Sequence, residues 1–203
     1  MTLSDLVGVF PALRLEAGTT VLARELPEAR YLFVDEGLVV LRTALPDSSR
    51  RTITCHAGAG ALILPPSPDE ALVALTDAHV IPLPAETCDA LLASAEAAGL
   101  LLAGLGETLR QKQAALAAMA RLHHVDRVRE KLLQLARDHG RVGRDGIRLD
   151  FPLTHDLLGE MTGSARETVT RALDELQREG FVARTGRTYS VQVAPEDLGL
   201  TPV

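Results

Sequence analysis

The stretch Thr154–Val182, THDLLGEMTGSARETVTRALDELQREGFV, decides the fold of the C-terminal part of this 203-residue chain. Thr154 is suited to capping a short helix whose apolar face is Leu157, Leu158 and Met161. Gly163 stands where a tight helix–helix turn needs a residue that tolerates positive φ. Ser164 and Glu167 then have the S-x-x-E spacing of a capping box, so Ser164 is expected to cap a second helix. In that helix Val169, Leu173 and Leu176 recur at i, i+4 and i+7 and form one apolar face. Arg166, Glu167, Thr170 and Arg171 point away from it. Arginine matches the paired acceptors of guanine and glutamate accepts from the cytosine amine, so these side chains can read base edges. The pattern is that of a helix-turn-helix, which places the N-terminal end of its second helix in the major groove. A glycine-linked pair of amphipathic helices packed on a partner protein would share the spacing, but not the set Arg166, Glu167 and Arg171.

Downstream, Phe181–Val193 (FVARTGRTYSVQV) contains two β-prone runs around Gly186, flanked by Arg184 and Arg187. Upstream, Gly146–Phe151 (GIRLDF) alternates like a strand. A strand, two helices and a hairpin make a winged helix-turn-helix whose wing lies against phosphates. Expected base contacts are Arg166, Glu167 and Arg171. Expected DNA-backbone contacts are Thr154, Ser164, Thr168, Thr170, Arg184 and Arg187.

The segment SARETVTRALDELQREGFV resembles the DNA-binding helix of the cyclic AMP receptor protein/FNR (CRP/FNR) family of bacterial transcription regulators. Arg166, Glu167, Thr168, Val169 and Arg171 match that family's S-R-E-T-V-x-R pattern, whereas Ala165 stands where it usually has serine. Val125–Asp138 (VDRVREKLLQLARD) is similar to the helix that opens the family's DNA-binding domain. The resemblance implies a half-site close to TGTGA, a pseudo-palindromic promoter site on double-stranded DNA, and RNA polymerase as a partner. It favours activation.

The N-terminal half is a succession of short apolar or alternating runs: Thr20–Leu22, Tyr31–Val34, Leu38–Leu45, Thr52–His56, Ala61–Leu64, Leu72–Leu75 and His79–Leu83. Glycine and proline punctuate them, a rhythm that suits a β jelly roll. YLFVDEGLVVLRT, with Gly37 at its turn, resembles the family's cyclic-nucleotide-binding-like sensor domain. The departure from that domain is informative. Nucleotide-binding members use a Gly-Glu pair and an Arg-Ser or Arg-Thr to cradle the cyclic phosphate. Here the equivalent stretch, ALILPPSPDEALVAL, has no arginine, three prolines that lack N–H groups, and Asp69 and Glu70, which repel phosphate. Cyclic nucleotide in the usual mode is therefore not expected, and no cofactor is. An iron–sulfur cluster needs about four thiolates, and only Cys55 and Cys88 exist. They read as buried, inert thiols. The adjacent His123 and His124 lack metal-ligand spacing, so no metal is expected. The alternative function is an effector-dependent regulator whose β domain senses an unidentified small molecule or a redox signal.

Between the halves a proline-free run predicts a long helix over Ala97–Arg121. Leu102, Leu105, Leu109, Leu116 and Met119 step by 3, 4, 7 and 3, a heptad seam with Lys112 at one position. A seam this narrow favours pairing with a second copy, and the resemblance implies the same dimer helix. Two-fold symmetry would then set two recognition helices about one DNA turn apart. The expectation is an α+β homodimer: 1–96 a β-rich sensor-like domain, 97–122 the dimerisation helix, 123–203 the winged helix-turn-helix. Leu122–Asp126 is expected to be a hinge.

Composition bounds these readings. Hydrophobic residues at 46% and charged at 24% describe an ordinary globular chain with material for two cores. Aromatics at 3%, without tryptophan, argue against a carbohydrate-stacking surface. No apolar run approaches the ~20 residues of a membrane span, and no signal peptide opens the chain, so a cytoplasmic protein is expected. No nucleophile–base pair, Walker loop or zinc spacing suggests an enzyme. Net charge is −6, of which residues 1–122 carry −5 (9 basic, 14 acidic) and residues 123–203 carry −1 (12 basic, 13 acidic). A DNA-binding surface must therefore come from concentrating arginines on one face, with affinity that falls as salt rises.

Overall fold

The computed structural model describes residues 2–44, 51–119, 123–143, 146–186 and 188–200. Arg187, Leu122 and the side chain of Met119 lie outside the described residues. The chain divides into two compact units, Met1–Gln113 and Ala114–Val203.

The first unit opens with helix α1 (Leu3–Val7), where Thr2 and Asp5 form a reciprocal capping box. Eight strands follow: β1 (Leu13–Leu15), β2 (Thr20–Leu22), β3 (Tyr31–Glu36), β4 (Leu38–Ala44), β5 (Arg51–Gly58), β6 (Leu62–Ile63), β7 (Glu70–Ala74) and β8 (Ala78–Leu83). They build two antiparallel sheets, ordered β1-β8-β3-β6 and β2-β7-β4-β5. Leu32, Val34, Val39, Leu41, Leu72 and Val80 belong to the apolar cluster of the sandwich. This is the jelly-roll architecture expected from the strand rhythm.

Helices cover the other face of the first sheet. Phe33, Ile81 and Leu83 pack there with Leu3 and Val7 of α1, Cys88 of α2 (Ala85–Leu92) and Leu101 of α3 (Ala95–Met119). Covering both faces removes the polar alternation that a half-exposed strand would show. Leu32, Phe33 and Val34 are all fully buried. Helix α3 is anchored to this domain by Thr108, whose hydroxyl donates to the Leu62 carbonyl at 2.6 Å. Cys55 and Cys88 are both buried, and burial pushes the Cys88 thiol pKa up.

The second unit contains α4 (His124–His139), β9 (Gly140–Gly143), β10 (Gly146–Leu149), α5 (His155–Thr162), α6 (Arg166–Arg178), β11 (Val182–Thr185) and β12 (Thr188–Val191). Its sheet is ordered β11-β12-β10-β9. Helix α4 packs on α5, α6 and β10. Val128, Leu132 and Leu135 of α4 are buried, as are Leu158, Val169, Leu173, Leu176, Ile147 and Leu149. Arg129 ties α4 to the end of α6: its guanidinium lies 4.4 Å from the Phe181 ring centroid and also pairs with Glu179.

Helix α1 and strands β1 and β9 are among the elements additional to the sequence reading. Helix α1 and strand β1 are too short to show a period. Strand β9 (GRVG) carries two glycines and owes its extension to pairing with β10, Val142 opposite Ile147. Among the described residues, no single helix is long and apolar enough to cross a membrane.

Gly37 makes the β3–β4 turn with φ of 84°. A Cβ there would come within 2.2 Å of the Asp77 carbonyl oxygen and 2.8 Å of Ala78 Cβ. Gly163 also has positive φ, but a Cβ would meet nothing within 4 Å. Gly37→Ala should therefore destabilise the protein by about 3 kcal/mol, combining left-handed strain with overpacking. Gly163→Ala should cost about 1 kcal/mol. Urea titration of both variants checks the difference, and equal losses would disprove the steric account.

Candidate nucleic-acid interface

Thr154 caps α5 as its sequence indicates, its hydroxyl accepting from the Leu157 N–H at 3.1 Å. The helix ends in left-handed Gly163. The Ser164 N–H then donates to the Gly159 carbonyl at 3.0 Å, folding the chain back. Gly159 is required at this crossing, since a Cβ on it would lie 2.7 Å from the Ser164 carbonyl oxygen.

The second helix departs from the expected capping box. Its N-cap is Ala165, with no side-chain cap, and α6 starts at Arg166. The turn takes up both Gly163 and Ser164, which moves the helix start one residue along. The Ser164 hydroxyl instead donates to the Thr162 carbonyl at 3.4 Å and lies equally far from His124 Nδ1. Glu167 thus stands in the first turn beside an uncapped helix end, where its charge favours the helix dipole.

Helix α6 buries Val169, Ala172, Leu173 and Leu176. That leaves Arg166, Glu167 and Arg171 exposed. Glu167 and Arg171 are i and i+4, so they share a face. Arg166 lies beside the start of α5, where its guanidinium is 3.4 Å from the Asp156 carboxylate. Both groups are well exposed, so the pair adds little stability. Thr168 and Thr170 are half-buried.

Arg184 of β11 comes to the same place from the wing. Its Nε donates to the Gly186 carbonyl at 3.0 Å, and its guanidinium lies 5.6 Å from the Tyr189 ring centroid. Arg166, Arg184, Thr154, His155 and Asp156 line one groove of about 480 Å³. Two arginines from separate elements thus face a common space. An elongated anion could span them.

Sequence reasoning missed the polar cluster that joins these elements. His155 Nδ1 lies 2.8 Å from Thr170 Oγ1, and Nε2 lies 3.1 Å from the Tyr189 hydroxyl. Thr170 also donates to the Arg166 carbonyl at 3.0 Å. Its hydroxyl is therefore engaged within the protein rather than presented to a phosphate. Burial, then the Arg184 and Arg166 guanidiniums, hold the His155 pKa below its usual value, against Asp174 and Asp156. The direction of that shift favours the neutral ring. No local signal could reveal this cluster, because His155 and Tyr189 are brought together only by the tertiary fold.

The described elements thus amount to a double-sheet domain, a long helix and a winged helix-turn-helix. Residues 126–197 match the Crp-like helix-turn-helix domain. The global nitrogen regulator of Synechocystis sp. is 32% identical over 120 residues, 59% of this chain and 53% of that protein. The CRP-like cAMP-activated global transcriptional regulator of Mycobacterium tuberculosis is 26% identical over 180 residues, 86% of this chain and 80% of that protein. Among solved structures, a CRP-family transcriptional regulator of Thermus thermophilus superposes with a TM-score of 0.72 at 25% identity, covering 92% of this chain and 94% of that one. The chain spans about half the length of the nitrogen regulators it matches. The second unit is thus similar to the Crp-like helix-turn-helix domain, and the chain as a whole is similar to the CRP/FNR transcription regulators. The relatives are regulators, not enzymes.

The uncapped start of α6 gives a direct test. Ala165 has the extended backbone of an N-cap. Ala165→Ser should supply the missing acceptor and stabilise the protein by about 1 kcal/mol. Chemical denaturation measures this, and a neutral or destabilising result would refute the N-cap assignment.

Proposed function

We propose that this protein is a sequence-specific, DNA-binding transcription regulator that acts as a homodimer without cyclic nucleotide. The observation that carries the reading is the division of α6. Its apolar face is sunk against α4 and α5, while Arg166, Glu167 and Arg171 stand exposed at its N-terminal end. In this reading Arg166 and Arg171 contact guanines and Glu167 a cytosine. Thr154, Ser164, Thr168 and Arg184 flank them toward the backbone, with Arg187 next to the wing's tip in sequence. The protein works in the cytoplasm and activates by recruiting RNA polymerase, an assignment that rests on family analogy.

Dimerisation is supported by α3. Leu102, Leu109 and Leu116 are 68%, 58% and 68% exposed, at intervals of one heptad along the helix. An exposed leucine row at that spacing suits a second helix. Leu105 instead packs partly on the domain's own core, which leaves the row narrower than the sequence suggests.

Independence from cyclic nucleotide is supported by the β6–β7 connection. It runs over Leu64–Asp69 without a helix, and Pro65, Pro66 and Pro68 offer no N–H groups. Within the loop, the donors of Ser67 are turned onto a carboxylate. Glu70 accepts from the Ser67 N–H and hydroxyl at 3.0 Å each, from Thr54 at 2.8 Å and from Thr43 at 3.3 Å. Burial works to raise the Glu70 pKa, but these bonds outweigh it and hold the value low. The group stays anionic where a nucleotide phosphate would need attraction. The M. tuberculosis relative is described as cAMP-activated, and the prolines and the anionic Glu70 of this chain argue against the same ligand here.

Binding to a duplex carrying two TGTGA-like half-sites should be measurable in plain buffer and unchanged by millimolar cyclic AMP or cyclic GMP. Arg171→Ala should lose about 1–3 kcal/mol on the matched site and much less on a scrambled one. Equal weakening on both duplexes would make Arg171 a phosphate contact. A tenfold tightening with either nucleotide would overturn effector independence. In sedimentation, the wild type should be dimeric at micromolar concentration. Leu109→Asp should dissociate it, because an unpaired buried charge costs about 3–5 kcal/mol. A monomeric wild type would reject the seam.

A further inference from the structure

His155 is the first residue of α5, yet its two ring nitrogens reach other elements: Nδ1 meets Thr170 of α6, and Nε2 meets Tyr189 of β12. The direction of each hydrogen bond follows from proton counting. Keeping the bond to the Arg166 carbonyl, which can only accept, commits the single Thr170 hydroxyl proton to it at 3.0 Å. Thr170 Oγ1 must then accept from His155 Nδ1–H at 2.8 Å. In a neutral ring Nε2 is left as an acceptor, and the Tyr189 hydroxyl donates to it at 3.1 Å. The Nδ1–H tautomer satisfies all three contacts. The opposite tautomer turns the Thr170 proton onto the ring and loses the bond to Arg166.

The chain of bonds ends at both of the arginines that line the groove. At one end is the backbone of Arg166. At the other is the Tyr189 ring, which lies against the Arg184 guanidinium at 5.6 Å. Tyr189 is 2% exposed, so its hydroxyl has little access to water as a substitute partner.

We infer that His155 is a positioning residue for DNA recognition: as the neutral Nδ1–H tautomer it couples α6 at Thr170 to the wing at Tyr189, and so sets Arg166 and Arg184 at a fixed separation. The inference rests on the DNA-binding reading above. Each arginine could reach an anion alone, but two held at one spacing favour a duplex whose phosphates and bases match that spacing. His155 touches no base itself. The charged and titratable groups around it are Arg166 and Asp174 of α6, Asp156 of α5, and Arg184 and Tyr189 of the wing. A proton on Nε2 would place a third cation beside the two arginines and force the Tyr189 hydroxyl to turn from donor to acceptor.

The test uses the full chain and a duplex that the wild type selects from a random pool. Long-range nitrogen–proton NMR of the free protein should show the Nδ1–H tautomer of His155 at neutral pH. Fluorescence anisotropy then gives the affinity ratio of the selected duplex over a scrambled one for wild type, Thr170→Val, Tyr189→Phe and the double variant, each verified as folded by circular dichroism. Each single change should lower the ratio about fivefold, the worth of one hydrogen bond. The double should lower it no further, because either change breaks the same chain. Independent effects that multiply to about 25-fold, an Nε2–H tautomer, or an unchanged ratio in Tyr189→Phe would each overturn the inference while leaving DNA binding intact. A wild type that selects no sequence would overturn the DNA-binding reading and this inference with it.

Discussion

The interface depends on a close approach between backbones at the α5–α6 turn. Gly159 lies so near the Ser164 carbonyl that no side chain fits between them, and Gly163 takes the left-handed conformation that ends α5. Together they fix the angle at which α6 leaves. Once that angle is set, the apolar face of α6 can pack on α4, and Arg166, Glu167 and Arg171 at its N-terminal end stay exposed. A wider crossing would leave a void under Val169 and Leu173, and cavities in a core cost stability in proportion to their volume. The packing of the second unit and the exposure of its arginines are thus two results of one steric condition.

The parts of this arrangement that lie close together in the chain were legible in the sequence. Thr154 announces α5, Gly163 its end, and the Val169–Leu173–Leu176 row the buried side of α6. The strand rhythm of the first unit was legible for the same reason, since glycine and proline act on their own neighbours. What escaped depends on distant partners. Gly159 looks like an ordinary weak point in a helix until Ser164 comes to lie on it. Strand β9 is extended only because β10 pairs with it. The capping box pattern misled by one residue: Ser164 and Glu167 have the right spacing, but the turn had already taken Ser164. The His155 cluster joins residues of α5, α6 and β12 that no periodicity relates.

In the first unit, the same logic explains why the strands are more apolar than a one-sided sheet requires. The sheet β1-β8-β3-β6 meets the sandwich core on one face and α1, α2 and α3 on the other. At the far end of the sandwich, β7 begins not with a leucine but with Glu70, in register with Thr43 of β4. A carboxylate at such a place persists only if donors surround it, because burying an unsatisfied charge is costly. Ser67, Thr54 and Thr43 supply them. This end of the domain is therefore held by an internal polar knot, and the short proline-rich loop over it is tied down by the same carboxylate.

The ion pair between Arg166 and Asp156 has a consequence for selectivity among anions. Its two side chains are 65% and 63% exposed, and the pair is open to water. For any anion that approaches Arg166, Asp156 is a competitor already in place, tethered at high local concentration. A lone phosphate offers little more than the aspartate does and must displace it. An extended polyanion that engages Arg184 at the same time gains a second contact for which Asp156 has no counterpart. The aspartate slightly lowers the net gain of a single contact at Arg166, which favours a ligand long enough to reach both arginines.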